Sequence, residues 1–353
     1  MPSPTAFGRV LPINHAWLAK AGPEAPIDPE LPIVDTHHHL WATLPAGLPQ
    51  GAEQQDHTYL LPQFASDIAS GHRVTHTVYV ECHNRYRTNG PAELRPVGET
   101  EFAAEIGEQS DTGQHGPARV CAAIVGSADL SLGARVRPVL EAHVEAGRGR
   151  LRGVRATAAY DADPVIGNTT ASPGAYRLPE FRAGVAELTA LGLSLDAWVF
   201  FHQLDDVVHL ARACPDTPII MGHCGGPLGY GPYAGRRDEV FASWKAKVAA
   251  VAQCPNVVVK LGGMVIRLAA IDFGTLPAPL SSADIAKRWG PYVSTCIDLF
   301  GPDRCMFESN FPVEKQGTGW VALWNAFKRI TEGASESERH ALFSGTARRI
   351  YRI

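Results

Sequence analysis

Eight short apolar segments rich in β-branched residues recur along the chain, and each is followed by enough residues to form a helix. The segments are Pro32–Asp35, Val74–Glu81, Arg119–Val125, Leu151–Thr157, Leu193–Val199, Thr217–Met221, Asn256–Leu261 and Arg304–Glu308. Their spacing is too wide for hairpins and favours parallel pairing through helical crossovers. Helical periodicity between the segments, for example over Leu178–Leu191 and Asp238–Ala252, supports this arrangement. Eight β/α units in series predict an α/β fold with a single (β/α)8 TIM barrel, and an open doubly wound sheet is the competing architecture.

Two regions exceed this simple repeat. Residues 1–30 are rich in Pro, Gly and Ala, and we expect an irregular N-terminal arm before a barrel that spans residues 31–353. The stretch His83–Pro117, after the second segment, is long for a connection between a strand and a helix. Loops of this size on an α/β scaffold commonly carry binding residues, so we expect it to cover the site.

The composition excludes several classes of partner. The 353 residues include 32 Lys and Arg against 36 Asp and Glu, and 45% of them are hydrophobic. This near-neutral balance argues against a nucleic-acid or membrane-surface binder, and no segment has the length and apolar character of a membrane span. The seven cysteines are scattered without a C-x-x-C pair, which is typical of free thiols in a cytoplasmic protein. We therefore expect a small-molecule substrate, and assembly into a homo-oligomer stays open.

The most informative motif is a pair of histidines just beyond the first apolar segment. His37 and His39 stand two apart, so the alternation of side chains along a strand predicts that both face one side and His38 the other. Two convergent imidazoles suit a divalent metal ion or a substrate carbonyl. A bare H-x-H motif is also compatible with surface histidines, or with core histidines that bond to the backbone.

Two further polar residues follow later strands. His223 comes after the sixth segment and precedes glycines that let a ligand approach the backbone, and Asn310 comes after the eighth segment. In a barrel the carboxyl ends of all strands meet at one rim, so we expect these two residues to converge with the histidine pair. This constellation predicts an active site.

Three motifs carry a resemblance to a known family. D-x-H-x-H-x-W at Asp35–Trp41, G-H-x-G-x-P at Gly222–Pro227 and E-S-N-F-P at Glu308–Pro312 resemble motifs of the amidohydrolase superfamily. More narrowly, the chain looks like the amidohydrolase 2 branch, which contains 2-pyrone-4,6-dicarboxylate lactonase and fuconolactonase, from about Leu31 to the C-terminus. The resemblance implies a (β/α)8 barrel with a hydrolytic site at its C-terminal rim.

The resemblance also assigns residues to this site. His37 and His39 match the first-strand pair of the family, and His223 matches the histidine of the sixth strand. Asn310 stands where the family usually has Asp. An amide cannot accept a proton at ordinary pH and binds a cation more weakly than a carboxylate does, so this departure bears on both the base and the metal.

Glu308 is the expected substitute for the missing carboxylate. It lies two residues before Asn310 and would share its face of the strand. The alternative is that Glu308 lies deeper in the barrel and pairs with Lys260 or Arg155, because inward carboxylates near strand ends serve both purposes.

The resemblance further bears on the cofactor. Two-metal members of the superfamily use a carboxylated lysine on the fourth strand, where this chain has arginines but no lysine. One divalent ion, most naturally Zn2+, is therefore expected on His37, His39 and His223. His202, after the fifth strand, is a weaker candidate ligand and an expected substrate contact. The lactonases that this chain resembles also work without a metal, with the histidines polarising the carbonyl, and the sequence leaves both modes open.

Substrate contacts are expected around the same rim. Arg155 on the fourth strand is suited to binding a carboxylate through two hydrogen bonds, and Glu81 ends the second strand on the inner face. Trp41, Trp198 and Phe311 indicate aromatic walls, and each is equally compatible with ordinary packing. These features suit a small organic acid, lactone or ester with a flat or apolar body.

The expected reaction is hydrolysis of a lactone, ester or amide. Water attacks a carbonyl at the barrel mouth, and His37 and His39 stabilise the oxyanion directly or through one zinc ion. His223 positions the substrate or moves a proton, Asn310 orients the water, and Glu308 accepts its proton. Two alternatives stay open: zinc-dependent non-oxidative decarboxylation of an unsaturated or aromatic acid, and a catalytically silent barrel that binds a small molecule.

Overall fold

The computed structural model describes residues 13–41, 58–170, 172–264 and 276–353. Its centre is one eight-stranded sheet in the order β1 to β8, in which every neighbouring pair of strands is parallel. The strands are β1 (Ile33–His38), β2 (Val74–Val80), β3 (Arg119–Ser127), β4 (Leu151–Thr157), β5 (Ser194–Trp198), β6 (Ile219–Met221), β7 (Val257–Leu261) and β8 (Cys305–Phe307). All eight predicted strands are present in sequential order, so the (β/α)8 barrel is confirmed.

Strands β1 and β8 meet through polar contacts that close the barrel. His38 forms an isolated parallel bridge with Phe311. The Asp35 carboxyl group accepts hydrogen bonds from the Ser309 backbone N–H at 2.7 Å and from the Ser309 hydroxyl at 2.6 Å. Asp35 belongs to the D-x-H-x-H motif, so the motif fixes the segment after β8 against the strand that carries the histidine pair.

Helices surround the strands. They are α1 (His15–Leu18), α2 (Leu61–Ile68), α3 (Val97–Asp111), α4 (Arg137–Ala146), α5 (Pro179–Ala190), α6 (Leu204–Ala213), α7 (Arg237–Ala252), α8 (Ser282–Phe300), α9 (Trp320–Ile330), α10 (Glu336–His340) and α11 (Thr346–Tyr351). The bounds of α5 and α7 lie within one residue of those predicted from periodicity. The predicted N-terminal arm is described from residue 13 onward, where it contains α1, and residues 1–12 lie outside the described part. In the part of the chain that the structure describes, no helix has both the length and the apolar character needed to cross a bilayer.

The expected long connection after β2 is present, but it is shorter than His83–Pro117. Fifteen residues of this stretch form α3, which packs on β3. Glu99 and Thr100 of α3 face the protein interior, so this helix lacks the apolar stripe by which periodicity identifies a helix. The remaining connection, from Cys82 to Pro96, is the part that borders the strand ends.

Side chains fill the barrel interior. One apolar cluster joins residues of six strands with two residues of α11, namely Val34, Val78, Val80, Ala123, Val125, Ile220, Val258, Met306, Ala347 and Tyr351. Charged residues in the interior are paired: the buried Lys260 Nζ on β7 donates to Asp196 Oδ2 on β5 at 2.6 Å. The barrel is therefore a packed core, and a ligand has access only to its rim.

Buried neutral histidines make the stability of this fold depend on pH. Burial lowers the pKa of His38 to about 3 and that of His143 to about 4. An unfolded histidine has a pKa of about 6.5, so the unfolded chain takes up protons first as the pH falls. We expect the free energy of unfolding to fall by roughly 1 kcal/mol per pH unit for each of these imidazoles between about pH 6.5 and pH 4. Urea unfolding across this range measures the slope. His143→Gln should make it shallower, and an unchanged slope in that variant would contradict the prediction.

Candidate active site

The histidine pair lies at the carboxyl end of β1, with both rings on the same side. His37 Nε2 and His39 Nε2 are 3.2 Å apart, whereas the ring of His38 stacks on Phe64 with the ring centroids 4.3 Å apart. His39 Nδ1 lies 2.7 Å from the carbonyl oxygen of Val80. Because a carbonyl only accepts hydrogen bonds, Nδ1 carries the proton and Nε2 of His39 presents a lone pair towards His37. The structure therefore has the side-chain alternation that the motif predicts.

His223 reaches the same point from the end of β6. The residues His223–Gly226 form a left-handed turn, with φ of +52° at both His223 and Cys224. The centroid of the His223 ring lies 4.9 Å from that of His37. The structure thus brings together three imidazoles that are far apart in the sequence.

Glu308 lies between two of these rings. Its Oε2 is 3.0 Å from His37 Nδ1, and its Oε1 is 2.7 Å from His223 Nδ1 and accepts a hydrogen bond from the His223 backbone N–H at 3.1 Å. The Glu308 side chain has no exposed surface. Lys260 and Arg155 have other carboxylate partners, so Glu308 faces the imidazoles instead of pairing with either cation.

Burial sets the charge state of the histidine pair. It lowers the pKa of both His37 and His39 well below the ordinary value for histidine. The Lys260 ammonium lowers the pKa of His37 further, and the Arg155 guanidinium does the same for His39. Both imidazoles are therefore neutral near pH 7, which is the form that binds a metal ion.

The residues present fit one divalent cation. His37, His223 and Glu308 offer ligand atoms that lie within 4.8 Å of one another. The 3.2 Å between Nε2 of His37 and Nε2 of His39 is close to the separation of about 3.3 Å between two nitrogen ligands of tetrahedral zinc. The Nδ1 atoms of both rings point away from this Nε2 pair. Nδ1 of His39 donates a hydrogen bond to the carbonyl oxygen of Val80. Nδ1 of His37 is buried and faces Glu308 Oε2, although the two atoms are not aligned for a hydrogen bond. Outer groups that orient imidazoles in this way are typical of metal-binding histidines.

Asn310 lies beside the histidine pair, but its amide nitrogen is engaged elsewhere. The Asn310 backbone N–H donates to His37 O at 2.8 Å, and Nδ2 donates to Oε1 of the buried Glu314 at 3.2 Å. Since Glu314 accepts from one of the two N–H groups of this amide, the predicted orientation of a water molecule would use the second N–H or the amide oxygen of Asn310.

Arg155 and Glu81 form an ion pair beside His39. Arg155 Nε donates to Glu81 Oε1 at 2.6 Å, and Arg155 Nη2 donates to the Glu81 carbonyl oxygen at 2.5 Å. Glu81 therefore occupies one edge of the guanidinium and neutralises its charge. This arrangement disfavours the predicted capture of a substrate carboxylate by Arg155 and leaves Nη1 as its free nitrogen among the described residues.

Two of the predicted aromatic walls border the imidazoles. The ring of Trp41 stacks on His39 with the ring centroids 6.0 Å apart, and the ring of Trp198 meets His223 edge-on at 4.7 Å. Both tryptophans are largely buried, with 4% and 6% of their surface exposed. The cluster of imidazoles thus has an apolar side chain on either flank.

The side chains of two other predicted contact residues make contacts with other groups. Phe311 has no exposed surface and packs edge-on against Trp320 of α9 at 5.0 Å, so in this position its ring cannot line a cavity. His202 Nε2 lies 2.9 Å from the Tyr160 carbonyl oxygen, and His202 Nδ1 lies 3.4 Å from the Tyr233 hydroxyl. His202 therefore ties together loops of the rim, and both of its ring nitrogens are occupied.

The sequence matches one protein family over most of its length. The profile of the Amidohydro_2 family, described as amidohydrolase, matches residues 34–353. The chain belongs to this amidohydrolase family. Protein y4mH of Sinorhizobium fredii, which is uncharacterized, is 32% identical over 335 residues, covering 92% of this chain and 99% of the relative. An L-fucono-1,5-lactonase of Burkholderia multivorans is 31% identical over 234 residues, covering 66% of this chain and 72% of the relative.

Solved structures agree with this assignment. An amidohydrolase from Burkholderia multivorans, determined with bound zinc, is 27% identical with a TM-score of 0.67, covering 91% of this chain and 99% of that one. A probable 2-pyrone-4,6-dicarboxylic acid hydrolase from Acinetobacter baumannii is 13% identical with a TM-score of 0.58, covering 91% of this chain and 99% of that one, and shows the shared fold alone. The family resemblance carried by the three motifs is confirmed, and the protein is a hydrolase of the amidohydrolase family.

Two glycines that no predicted motif includes make room for this amidohydrolase site. Gly262 and Gly263 directly follow β7. A Cβ atom on Gly263 would overlap the ring of His223, and one on Gly262 would overlap Glu308. Only residues without a side chain leave space for the hydrogen-bonded pair of His223 and Glu308. The available signal was a Gly-Gly pair immediately after an apolar strand.

Replacing Gly263 by Ala should displace His223 while the barrel stays folded. The hydrogen bond between His223 Nδ1 and Glu308 is expected to give a low-field imidazole proton resonance by NMR, which Gly263→Ala should abolish. Gly235→Ala is the matched control, because Gly235 has a similar φ of +73° with nothing within 4 Å of an added Cβ atom. Both variants should lose about 1 kcal/mol of stability to the left-handed backbone. Persistence of the resonance in Gly263→Ala would show that the ring position does not depend on this glycine.

Asn310→Asp should destabilise the protein because it places a second carboxyl group against the buried Glu314. We expect a loss of about 1–3 kcal/mol in the free energy of unfolding, since the hydrogen bond is replaced by repulsion in a buried site. Asn310→Asp combined with Glu314→Gln should recover most of this loss, because the new amide can donate to the new carboxylate. Chemical denaturation of the single and double variants measures the effect. A single variant as stable as the wild type would mean that the Asn310–Glu314 contact is unimportant.

Proposed function

We propose that this amidohydrolase opens a small hydroxylated lactone by adding water to its carbonyl. The observation that carries this proposal is the pairing of His223 Nδ1 with the buried Glu308 carboxylate at 2.7 Å, directly beside the histidine pair of β1. A histidine that donates from Nδ1 to a carboxylate has Nε2 available to accept a proton, as in the triads of hydrolytic enzymes. The site therefore supports a base next to a group that can activate a carbonyl.

In this mechanism His223 is the general base. Nε2 of His223 accepts a proton from the attacking water, and Glu308 stabilises the resulting imidazolium through Nδ1–H. The water oxygen bonds to the lactone carbonyl carbon, and the bond from that carbon to the ring oxygen then breaks. The imidazolium returns the proton to the departing ring oxygen. Glu308 is thus proposed to act behind His223, and this differs from the direct proton acceptor expected from the sequence, because both of its oxygen atoms face imidazole Nδ1 atoms.

His37 and His39 are proposed to hold the single divalent ion, most naturally zinc. In the tautomers favoured by Val80 and Glu308, both Nε2 atoms are lone-pair donors, which suit a cation better than a carbonyl oxygen. When bound, such an ion polarises the carbonyl and stabilises negative charge on its oxygen. This preference supports the metal-assisted mode over direct polarisation by the histidines.

The proposed substrate class follows from the groups around the cluster. Glu81 already neutralises Arg155, so a neutral ring with hydroxyl groups matches the free Nη1 better than a second carboxylate does. Trp41 and Trp198 place apolar side chains beside the imidazoles. The similarity to an L-fucono-1,5-lactonase supports the same class of substrate.

Turnover of a lactone panel by zinc-loaded protein tests the proposal, with L-fucono-1,5-lactone and δ-valerolactone as reference members. His37→Ala should abolish acid release. His223→Asn should lower kcat by about 100-fold or more while zinc stays bound, and Glu308→Gln should lower kcat by about tenfold or more. The exposed His209→Ala on α6 is the control and should leave turnover unchanged.

Three results would overturn parts of this proposal. Loss of zinc together with activity in His223→Asn would make His223 a metal ligand instead of the base. Release of carbon dioxide from unsaturated or aromatic acids, without lactone opening, would indicate the decarboxylase alternative. Binding of lactones without any turnover would indicate a silent binding barrel.

A further inference from the structure

The connection after β2 is anchored over the end of β1, beside the histidine pair. Asn84 Nδ2 donates to the carbonyl oxygen of Leu40 at 3.0 Å, one residue beyond His39. At the start of the connection, the Cys82 backbone N–H donates to Oε1 of the buried Glu99 at 2.7 Å. Two independent hydrogen bonds therefore hold this segment at the rim of the barrel, where it borders the proposed substrate site.

Two residues of this connection adopt a left-handed backbone without being glycine. His83 has a φ of +61° and Arg85 has a φ of +55°. Gly98 of α3 lies directly beneath them, and a Cβ atom there would come within 2.5 Å of the Arg85 carbonyl oxygen. Such a conformation costs free energy and is maintained where the surrounding structure enforces it, commonly at sites of binding or catalysis. In this conformation the His83 ring lies near the Glu81 carboxyl group.

His83 presents a free donor to an unsatisfied acceptor. The Tyr86 hydroxyl lies 2.9 Å from His83 Nδ1, and when this hydroxyl donates, the proton of the neutral ring is on Nε2. Nε2 lies 3.8 Å from Glu81 Oε2, which is too far for a direct hydrogen bond. Glu81 Oε2 is buried and has no hydrogen-bond partner among the described residues, and a buried acceptor left in this state costs free energy.

We propose that His83 is a specificity-determining residue, which binds a hydroxyl group of the substrate together with Glu81. A hydroxyl can accept a hydrogen bond from Nε2–H of His83 and donate its own proton to Glu81 Oε2, so it satisfies both groups at once. The His83 side chain is 54% exposed and is therefore accessible at the rim. A carboxylate or an apolar ring substituent satisfies at most one of the two groups. This inference rests on the proposed lactone hydrolysis. The contact between the hydroxyl group and His83 affects binding, however, and can be measured without turnover.

Binding of two stable lactams separates the contact from the reaction. Galactono-1,5-lactam carries ring hydroxyls and δ-valerolactam does not, and calorimetry on the zinc-loaded full-length protein gives the affinity of each. We expect the wild type to prefer the hydroxylated lactam by about tenfold or more, because a site built to bond a hydroxyl rejects an analogue that lacks it. His83→Phe should abolish most of that preference and leave the affinity for δ-valerolactam unchanged. His83→Gln keeps a donor and should retain part of the preference.

Kinetics provide a second measurement of the same contact. With L-fucono-1,5-lactone, His83→Phe should raise KM by about tenfold with kcat nearly unchanged, as expected when a contact binds substrate and transition state equally. Arg85→Gln is the control, because Arg85 shares the left-handed backbone while its guanidinium lies over Phe102. Lactone turnover and lactam binding by Arg85→Gln should both match those of the wild type.

The outcomes distinguish this inference from the proposed function. A preference for the hydroxylated lactam that depends on His83, in a protein that opens no lactone, would support the contact and overturn the hydrolysis. Lactone opening with equal binding of the two lactams, or with neither lactam bound, would overturn the contact and leave the hydrolysis standing. An equal loss of affinity for both lactams in His83→Phe would also overturn it, because a loop that has merely been disordered gives that result.

Discussion

The geometry of this site depends on one buried carboxylate, that of Glu308. It lies between His37 and His223 and accepts a hydrogen bond from the backbone N–H of the latter. Burying a carboxylate is costly unless hydrogen bonds replace the lost water, and these groups come from the ends of β1 and β6. Gly262 and Gly263 after β7 leave the space that it needs. Glu308 thereby fixes the direction in which two imidazoles present their remaining nitrogen atoms to the rim.

Other charged groups inside the barrel are paired so that they do not compete for Glu308. Arg155 and Asp196 are register partners on β4 and β5, yet Arg155 bonds to Glu81 and Asp196 accepts from Lys260. In an interior of low dielectric constant an unpaired cation would attract any nearby carboxylate. Because each cation has its own partner, Glu308 stays with the imidazoles. The same pairing explains why Arg155 is not a free receptor for a substrate carboxylate.

The sequence predicted the features that depend on local pattern and on topology. Strand positions follow from apolar periodicity, and the convergence of the three imidazoles follows because parallel strands of a barrel end at one rim. The partners of Glu308 are side chains from the ends of β1 and β6, which the spacing of residues along the chain does not identify. The contact of Asn310 with Glu314 forms within the turns that follow β8, where no regular pattern predicts it. Helix α3 escaped prediction for a related reason. Its buried face mixes polar residues such as Glu99, which bonds to the segment after β2, with apolar residues such as Val97 and Ile106, so it shows little apolar periodicity.

The strand ends and the connection after β2 are held in place in different ways. The groups proposed for the chemistry lie at strand ends, where packing and paired charges hold them rigidly. The connection from Cys82 to Arg87 instead carries left-handed residues such as His83, each at a cost of about 1 kcal/mol, and Glu99 and Gly98 of α3 hold it in that shape. Helix α3 contributes Ala103, Ala104 and Ile106 to the apolar core and also holds this loop. It thereby helps to set the shape of the rim, so sequence changes in this loop and helix can alter recognition while the imidazoles and Glu308 keep their positions.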